Sequence, residues 1–243
     1  MELGSDQTAG RPKSSPREKQ MTIKAFVFAY VLFTALVISG CGKVRYPNYH
    51  TLSLAPPPAP EGNGGHQLGS LAVRDFETPA YLRQGRIVYR ESPTQVGFYE
   101  YHRWVSNPGM IVTNAMIDAL RSSNLFSQVD SDASHIKPAF LLRGRLERLD
   151  EIDYGGGVQV EVKLSAQLVN SRTASPIWSG EEAETVRVEV EKATVNSVVM
   201  TMSHATQKCI DRLLADMRQQ LGNGQQRSSG SEPPQSGQPD PRK

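Results

Sequence analysis

Residues 158–169 read VQVEVKLSAQLV, and this stretch decides the fold. Val158, Val160, Val162, Leu164, Ala166 and Leu168 alternate with Gln159, Glu161, Lys163, Ser165 and Gln167. Side chains along a strand point to opposite faces in turn, so this pattern predicts a strand with one apolar and one wet face. Upstream, Phe140–Asp150 alternates less cleanly, with Leu142, Gly144 and Leu146 against Arg143, Arg145 and Glu147. Gly155-Gly156-Gly157 separates the two runs and supplies the positive φ angles that a hairpin turn needs. Downstream of the Asn170–Pro176 turn, Ile177–Val190 carries Val186 and Val188 against Thr185, Arg187 and Glu189. Three consecutive antiparallel strands are the expectation.

Two helices bracket this meander. Asn107-Pro108 reads as an N-cap followed by proline at the first helical position. Val112, Ala115, Met116, Ala119 and Leu120 then share one face, and the pattern fades at Asn124. The second helix is predicted from about Ala193 to Leu221. Its apolar stripe is Val195, Val198, Val199, Met202, Ala205, Cys209, Leu213, Met217 and Leu221, with Gly222 as the stop. Cys209 on that stripe reads as a small buried hydrophobe. The fold class is therefore α+β, a single domain in which an antiparallel sheet packs two helices on one face.

The remainder of the chain is not core material. Residues 222–243 hold no aliphatic or aromatic side chain, which predicts a disordered tail. Ala55–Gln67, APPPAPEGNGGHQ, reads as a spacer, and Tyr49–Leu54 ahead of it as a short strand. The compact body covers residues 68–221. Lys+Arg total 27 and Asp+Glu 25. Residues 1–40 take five of the basic and three of the acidic residues, which leaves 22 of each in the rest. A neutral body argues against nucleic acid as a partner.

The front end looks like an export signal. Ala25–Ile38, AFVFAYVLFTALVI, is an uncharged run of 14 residues, shorter than the roughly 20 that a membrane-spanning helix needs. Lys24 precedes it, and Ile38-Ser39-Gly40-Cys41 follows. A basic start, an apolar centre and small residues before a cut describe a secretory signal peptide over residues 21–40. Residues 1–20 form a polar extension, with Met21 as an alternative start. Ile38–Cys41 resembles the lipobox of bacterial lipoproteins. That likeness implies that Cys41 receives a diacylglycerol, is freed by cleavage and gains an N-acyl chain such as palmitate. Residues 41–67 would then be a lipidated N-terminus, short strand and spacer. Two or more chains anchor stably, where one is marginal.

Chemistry of other kinds finds little support. His50, His66, His102, His135 and His204 lack the spacing of a helical metal pair, and no Cys-x-x-Cys, GxSxG or GxxxxGK[ST] occurs. Asp150, Glu151 and Asp153 sit at a hairpin end, where carboxylates are expected to be solvated. No enzyme, metal or cofactor is expected beyond the acyl chains on Cys41. One region stands out: Leu71–Arg90 and Tyr99–Pro108 mix aromatics with arginines, the composition of interface hot spots. Tyr81, Arg86, Arg90 and Trp104 are the candidate partner-binding residues.

These stretches also carry a family likeness. Pro79-x-Tyr81-Leu82, Arg86-Ile87-Val88-x-Arg90 and Trp104-x-x-x-Pro108 opening a helix resemble the ABC-type transport auxiliary lipoproteins, the PqiC-like proteins that accompany MCE-type lipid transporters. The likeness runs from Tyr46 to Leu221. Val105-Ser106-Asn107 stand where many members have an acidic residue after the tryptophan. The resemblance implies an outer-membrane-anchored periplasmic lipoprotein, with the inner membrane as the alternative site. Gly42, where an inner-membrane retention signal has Asp, favours the outer membrane. Its partners would be an ATPase, a permease, an MCE-domain component and membrane lipid, and it would act alone or as a homo-oligomeric ring. The alternatives are a lipid-binding protein and an outer-membrane assembly lipoprotein like those of lipopolysaccharide export.

Overall fold

The alternating stretch forms β7 (Gln159–Asn170), paired along its length with β6 (Phe140–Ile152) on one side and β8 (Pro176–Arg187) on the other, both antiparallel. The computed structural model describes Lys24 and residues 26–30, 44–55, 67–132, 137–189 and 193–229. Gly155, Gly156 and Gly157 all have positive φ, 85°, 97° and 141°, in the β6–β7 turn. In the β7–β8 turn the Asn170 side chain accepts from the N–H groups of Arg172 and Thr173, closing an Asx turn.

Five shorter strands complete an eight-stranded sheet. β1 is Asn48–His50, β2 Leu71–Val73, β3 Arg86–Ser92, β4 Gln95–Trp104 and β5 Val129–Ser131. The meander is antiparallel as expected, but the whole sheet is mixed. β2 and β3 both run parallel to β6 on its second edge, β5 is parallel to β2, and β1 is parallel to β4. Hairpin periodicity reveals strands that are neighbours in sequence. Parallel neighbours meet only after a long crossover, which leaves no local signature.

Helix α1 (Pro108–Ser122) supplies that crossover between β4 and β5. Its start is as predicted: the Asn107 side chain accepts from the Gly109 N–H at 2.9 Å, and Pro108 opens the first turn. α1 buries Val112, Met116, Ala119 and Leu120. Helix α2 (Val195–Ser229) buries Val198, Met202, Ala205, Cys209, Ile210, Leu213 and Met217 on the same core, facing Val160, Val162, Leu164 and Leu168 of β7. The Cys209 thiol is pushed up to about 12 by burial, with Glu184 and Glu182 adding to the shift, so it stays protonated. Small residues make room between the layers. Gly144, Ala166 and Gly180 are aligned across β6, β7 and β8, and a Cβ at Gly144 would run into the Phe76 ring.

Two boundaries differ from expectation. The early strand is Asn48–His50, not Tyr49–Leu54, because the chain then leaves the sheet for α2. Leu52 enters the core, the Ser53 N–H donates to Ser203 Oγ, and the Ala55 N–H donates to Gln207 Oε1. Gly222 does not stop the second helix, which continues to Ser229. Glycine costs a helix about 1 kcal/mol but does not forbid it, and the next proline is Pro233. Residues 230–243 of the expected tail, 56–66 of the spacer, and Cys41 lie outside the described residues.

The chain divides into two units, Met1–Arg45 and Tyr46–Lys243. In the first, residues 26–30 are helical. No described helix is long and apolar enough to cross a membrane. The second unit contains every residue of the main core, from Leu52 to Met217. Within α2, Leu213→Ala should cost on the order of 2–5 kcal/mol of unfolding free energy, as for buried leucines generally. Met200, 74% exposed on the opposite face, should change it by less than about 0.5 kcal/mol when replaced by Ala. Urea unfolding of the two variants checks the orientation of the helix.

Candidate functional site

The four candidate residues separate into three environments. Trp104 ends β4 with 3% of its surface exposed, inside the core, with its indole N–H buried and unpartnered. Burial in the main core removes its ring from the exposed surface of the domain. Arg90 is also withdrawn from the surface: its Nε lies 2.6 Å from Asp150 Oδ2, and its side chain is 11% exposed. Tyr81, half-buried, donates its hydroxyl to the Glu147 carbonyl at 3.2 Å and to Asp150 Oδ2 at 3.3 Å. The Arg90 guanidinium sits 5.7 Å from the Tyr81 ring centroid. Arg86, also half-exposed, has no acidic partner among the described residues and lies opposite Arg103 in the β3–β4 pair.

Of the three carboxylates expected at a solvated hairpin end, Asp153 is exposed, whereas Asp150 and Glu151 are buried. Asp150 is 0% exposed and Glu151 4%. The cause is a β-bulge between Leu146 and Arg148. Before it, Leu142 and Leu146 face the core; after it, Leu149 opposes Val162 there, and Asp150 opposes Glu161 on the other face. Tyr81, Arg90 and Arg148 then cover Asp150, with Arg148 Nη1 at 3.7 Å from Asp150 and 3.4 Å from Glu161. Glu151 accepts from the Tyr99 hydroxyl at 2.8 Å. Burial raises the Glu151 pKa above the usual carboxylate range; the Tyr99 bond opposes this and Asp153 reinforces it. Burial, then the Asp150 charge, pushes the Tyr81 hydroxyl up to about 12. The phase change from Leu146 to Leu149 was the one sequence signal of this arrangement.

Two surface features flank the network. His50 Nε2 and His102 Nδ1 lie 2.9 Å apart across β1 and β4, at an open groove of about 530 Å³. Burial, then the proximity of His102, lowers the His50 pKa. On the face of the meander away from the helices, a shallow groove of about 590 Å³ runs between Arg145, Glu147, Ser165, Gln167, Ser179 and Glu181. Its walls are exposed ion pairs, among them Arg145–Glu77 and Lys163–Glu181. Among the described residues no three His, Cys, Asp or Glu side chains converge as metal ligands would.

The network makes two opposite predictions for neighbouring carboxylates. Asp150→Ala strands a nearly buried guanidinium and should cost on the order of 3–5 kcal/mol. Glu151→Gln keeps the acceptor for Tyr99 and removes a charge whose ionisation burial penalises. A raised folded-state pKa stabilises the fold only while the group is protonated, and that contribution is lost as pH rises through the folded value. Glu151→Gln should therefore melt higher than the wild type at about pH 7, and the gain should vanish near pH 4, where unperturbed glutamate is about half protonated. Thermal melts across that range read both effects.

A model of the ABC-type transport auxiliary lipoprotein component family matches residues 50–217, which run from the end of β1 through the last core residue of α2. No curated protein matches the chain. Among solved structures, a Xanthomonas campestris protein of the DUF330 family is similar at TM-score 0.61 and 16% identity, covering 75% of this chain and 99% of that one. An uncharacterized protein is similar at TM-score 0.56 and 15% identity, covering 71% of this chain and 99% of that one. At such identities the structural likeness establishes the fold, an open sheet with helices on one face. The family match covers most of the chain and the whole core, so this chain belongs to the ABC-type transport auxiliary lipoprotein component family.

Proposed function

We propose that this chain is a non-catalytic lipoprotein, anchored through Cys41 and facing the periplasm, that serves an ABC-type transporter with an MCE-domain component. The cargo would be phospholipid or another envelope lipid, and the outer membrane is the favoured anchor. The observation that carries the reading is the order of parts along one chain: an apolar export segment, a lipobox cysteine, then the family's domain over residues 50–217. The family description supplies the transport role, and Cys41 supplies the attachment.

The packing favours docking over carriage. A lipid held by the body would need the space between sheet and helices. That space is filled by Val160, Val162, Leu164 and Leu168 against Met202, Cys209 and Leu213, all at most 1% exposed. The grooves described above are open to solvent and do not enclose a chain. The uncovered polar face of β6, β7 and β8 is the broad surface that the fold leaves for a protein partner. Either one subunit or a ring could present it, and native mass of the purified protein distinguishes these.

Cys41→Ser should abolish lipidation, since serine presents no thiolate for alkylation. The precursor should then stay uncleaved and lose labelled fatty acid. Membrane retention with label still incorporated would refute the anchor. Pull-down of the wild-type lipoprotein should recover an ATPase, a permease and an MCE-domain protein; lipid recovered without them would favour the lipid-binding alternative.

A further inference from the structure

The edge of the sheet formed by β1, β4 and β3 carries an uncompensated positive row. Tyr49 of β1 lies opposite Arg103 of β4, and Arg103 lies opposite Arg86 of β3. The three side chains thus share one face across three strands. Like charges directly opposite in a sheet repel and destabilise it. Neither arginine has a carboxylate partner among the described residues, whereas Arg74, Arg90, Arg145, Arg148 and Arg212 each have one. Arg83 adds a third guanidinium without an acidic partner, exposed on the 3-10 turn that leads into β3. Apolar surface flanks the row: Tyr49 is 62% exposed and Val105, the residue after β4, 57%.

Chain length says what meets this face. Six residues, 42–47, separate Cys41 from Asn48. Even fully extended, that connection spans at most about 25 Å. β1 is in turn fixed to β4 by three paired residues and tied to α2 through Ser53 and Ala55. Whatever holds Cys41 therefore holds this edge close to it.

We infer that the Tyr49–Arg103–Arg86 row rests on the anionic headgroups of the bilayer that anchors Cys41. The guanidinium forks bind lipid phosphates, and Tyr49 places its ring at the headgroup level, where amphipathic aromatics favour the water–lipid boundary. The phosphates relieve the repulsion between Arg86 and Arg103 that the protein leaves uncompensated. The lipid anchor sets the geometry, so this inference rests on the function proposed above. Its chemistry can be tested without the anchor.

The test uses the lipid-free chain from Gly42 onward, which contains the entire main core. This chain has 22 basic and 22 acidic residues, so overall charge gives it no attraction to an anionic surface. Sedimentation with vesicles of equal parts phosphatidylcholine and phosphatidylglycerol measures partitioning. The wild type should bind these vesicles, bind phosphatidylcholine alone far less, and weaken as salt is added. Arg86→Gln and Arg103→Gln should each reduce partitioning about fivefold, the worth of one arginine at a charged surface. Tyr49→Ser, remote from the core, should weaken binding without touching stability, which guards against an arginine variant that fails to fold. Arg143→Gln with Arg172→Gln, on the β6–β8 meander, should bind like the wild type.

Equal partitioning by wild type and the Arg86/Arg103 double variant would overturn the inference. So would equal binding to neutral vesicles, or an equal loss in the Arg143/Arg172 control. Because Cys41 is absent from this chain, failure here leaves the anchor intact. Failure of the Cys41→Ser labelling test would leave this result standing.

Discussion

A fully buried carboxylate holds the two halves of this sheet together. Asp150 sits at the one place where β6 meets β3, and its 2.6 Å ion pair with Arg90 joins those strands in parallel register. β3 carries β4 by hairpin pairing, and β4 carries β1. Everything at the N-terminal edge thus depends on a charge placed where water cannot screen it. A buried pair of this kind is weak evidence of net stability, since its members are costly to desolvate. It does discriminate between registers. Sliding β3 by one residue would break the Arg90–Asp150 pair and leave Asp150 with only Arg148 and Tyr81.

The bulge after Leu146 makes this possible. Without it, continued alternation from Leu142 and Leu146 would carry Asp150 into the apolar layer against α2. With it, Leu149 takes the core position and Asp150 turns to the face where Tyr81, Arg90 and Arg148 wait. Tyr81 also caps the carbonyl of Glu147 at the bulge itself. One inserted residue therefore produces the ion pair and uses the tyrosine that would otherwise read as a surface hot spot.

The body has two working faces with different chemistry. The helix-covered face is filled and dry, with leucine, valine and methionine closing the space between layers. The other is polar on the meander and cationic at the β1–β4–β3 edge. The filled interior leaves the outer faces of the domain as the surfaces available for contact. The His50–His102 pair lies beside that edge, and burial together with the proximity of His102 lowers the His50 pKa.

Local pattern alone was enough for the meander, both helices and the capping of α1. Strand alternation at Val158–Leu168 and the Asn107-Pro108 cap are set by neighbours within a few residues, and those neighbours are written in order. The proposed export signal and lipobox cysteine are likewise local patterns, a short apolar run followed by Ile38–Cys41. What pattern could not supply was any relation made after a crossover. The parallel pairing of β2 and β3 with β6, the inward turn of Trp104 and the capture of Arg90 by Asp150 each join residues tens of positions apart. Arg90 and Arg86 look alike in sequence. Only the tertiary structure separates them, because burial next to a carboxylate neutralises one, while the sheet register sets the other beside a second positive charge.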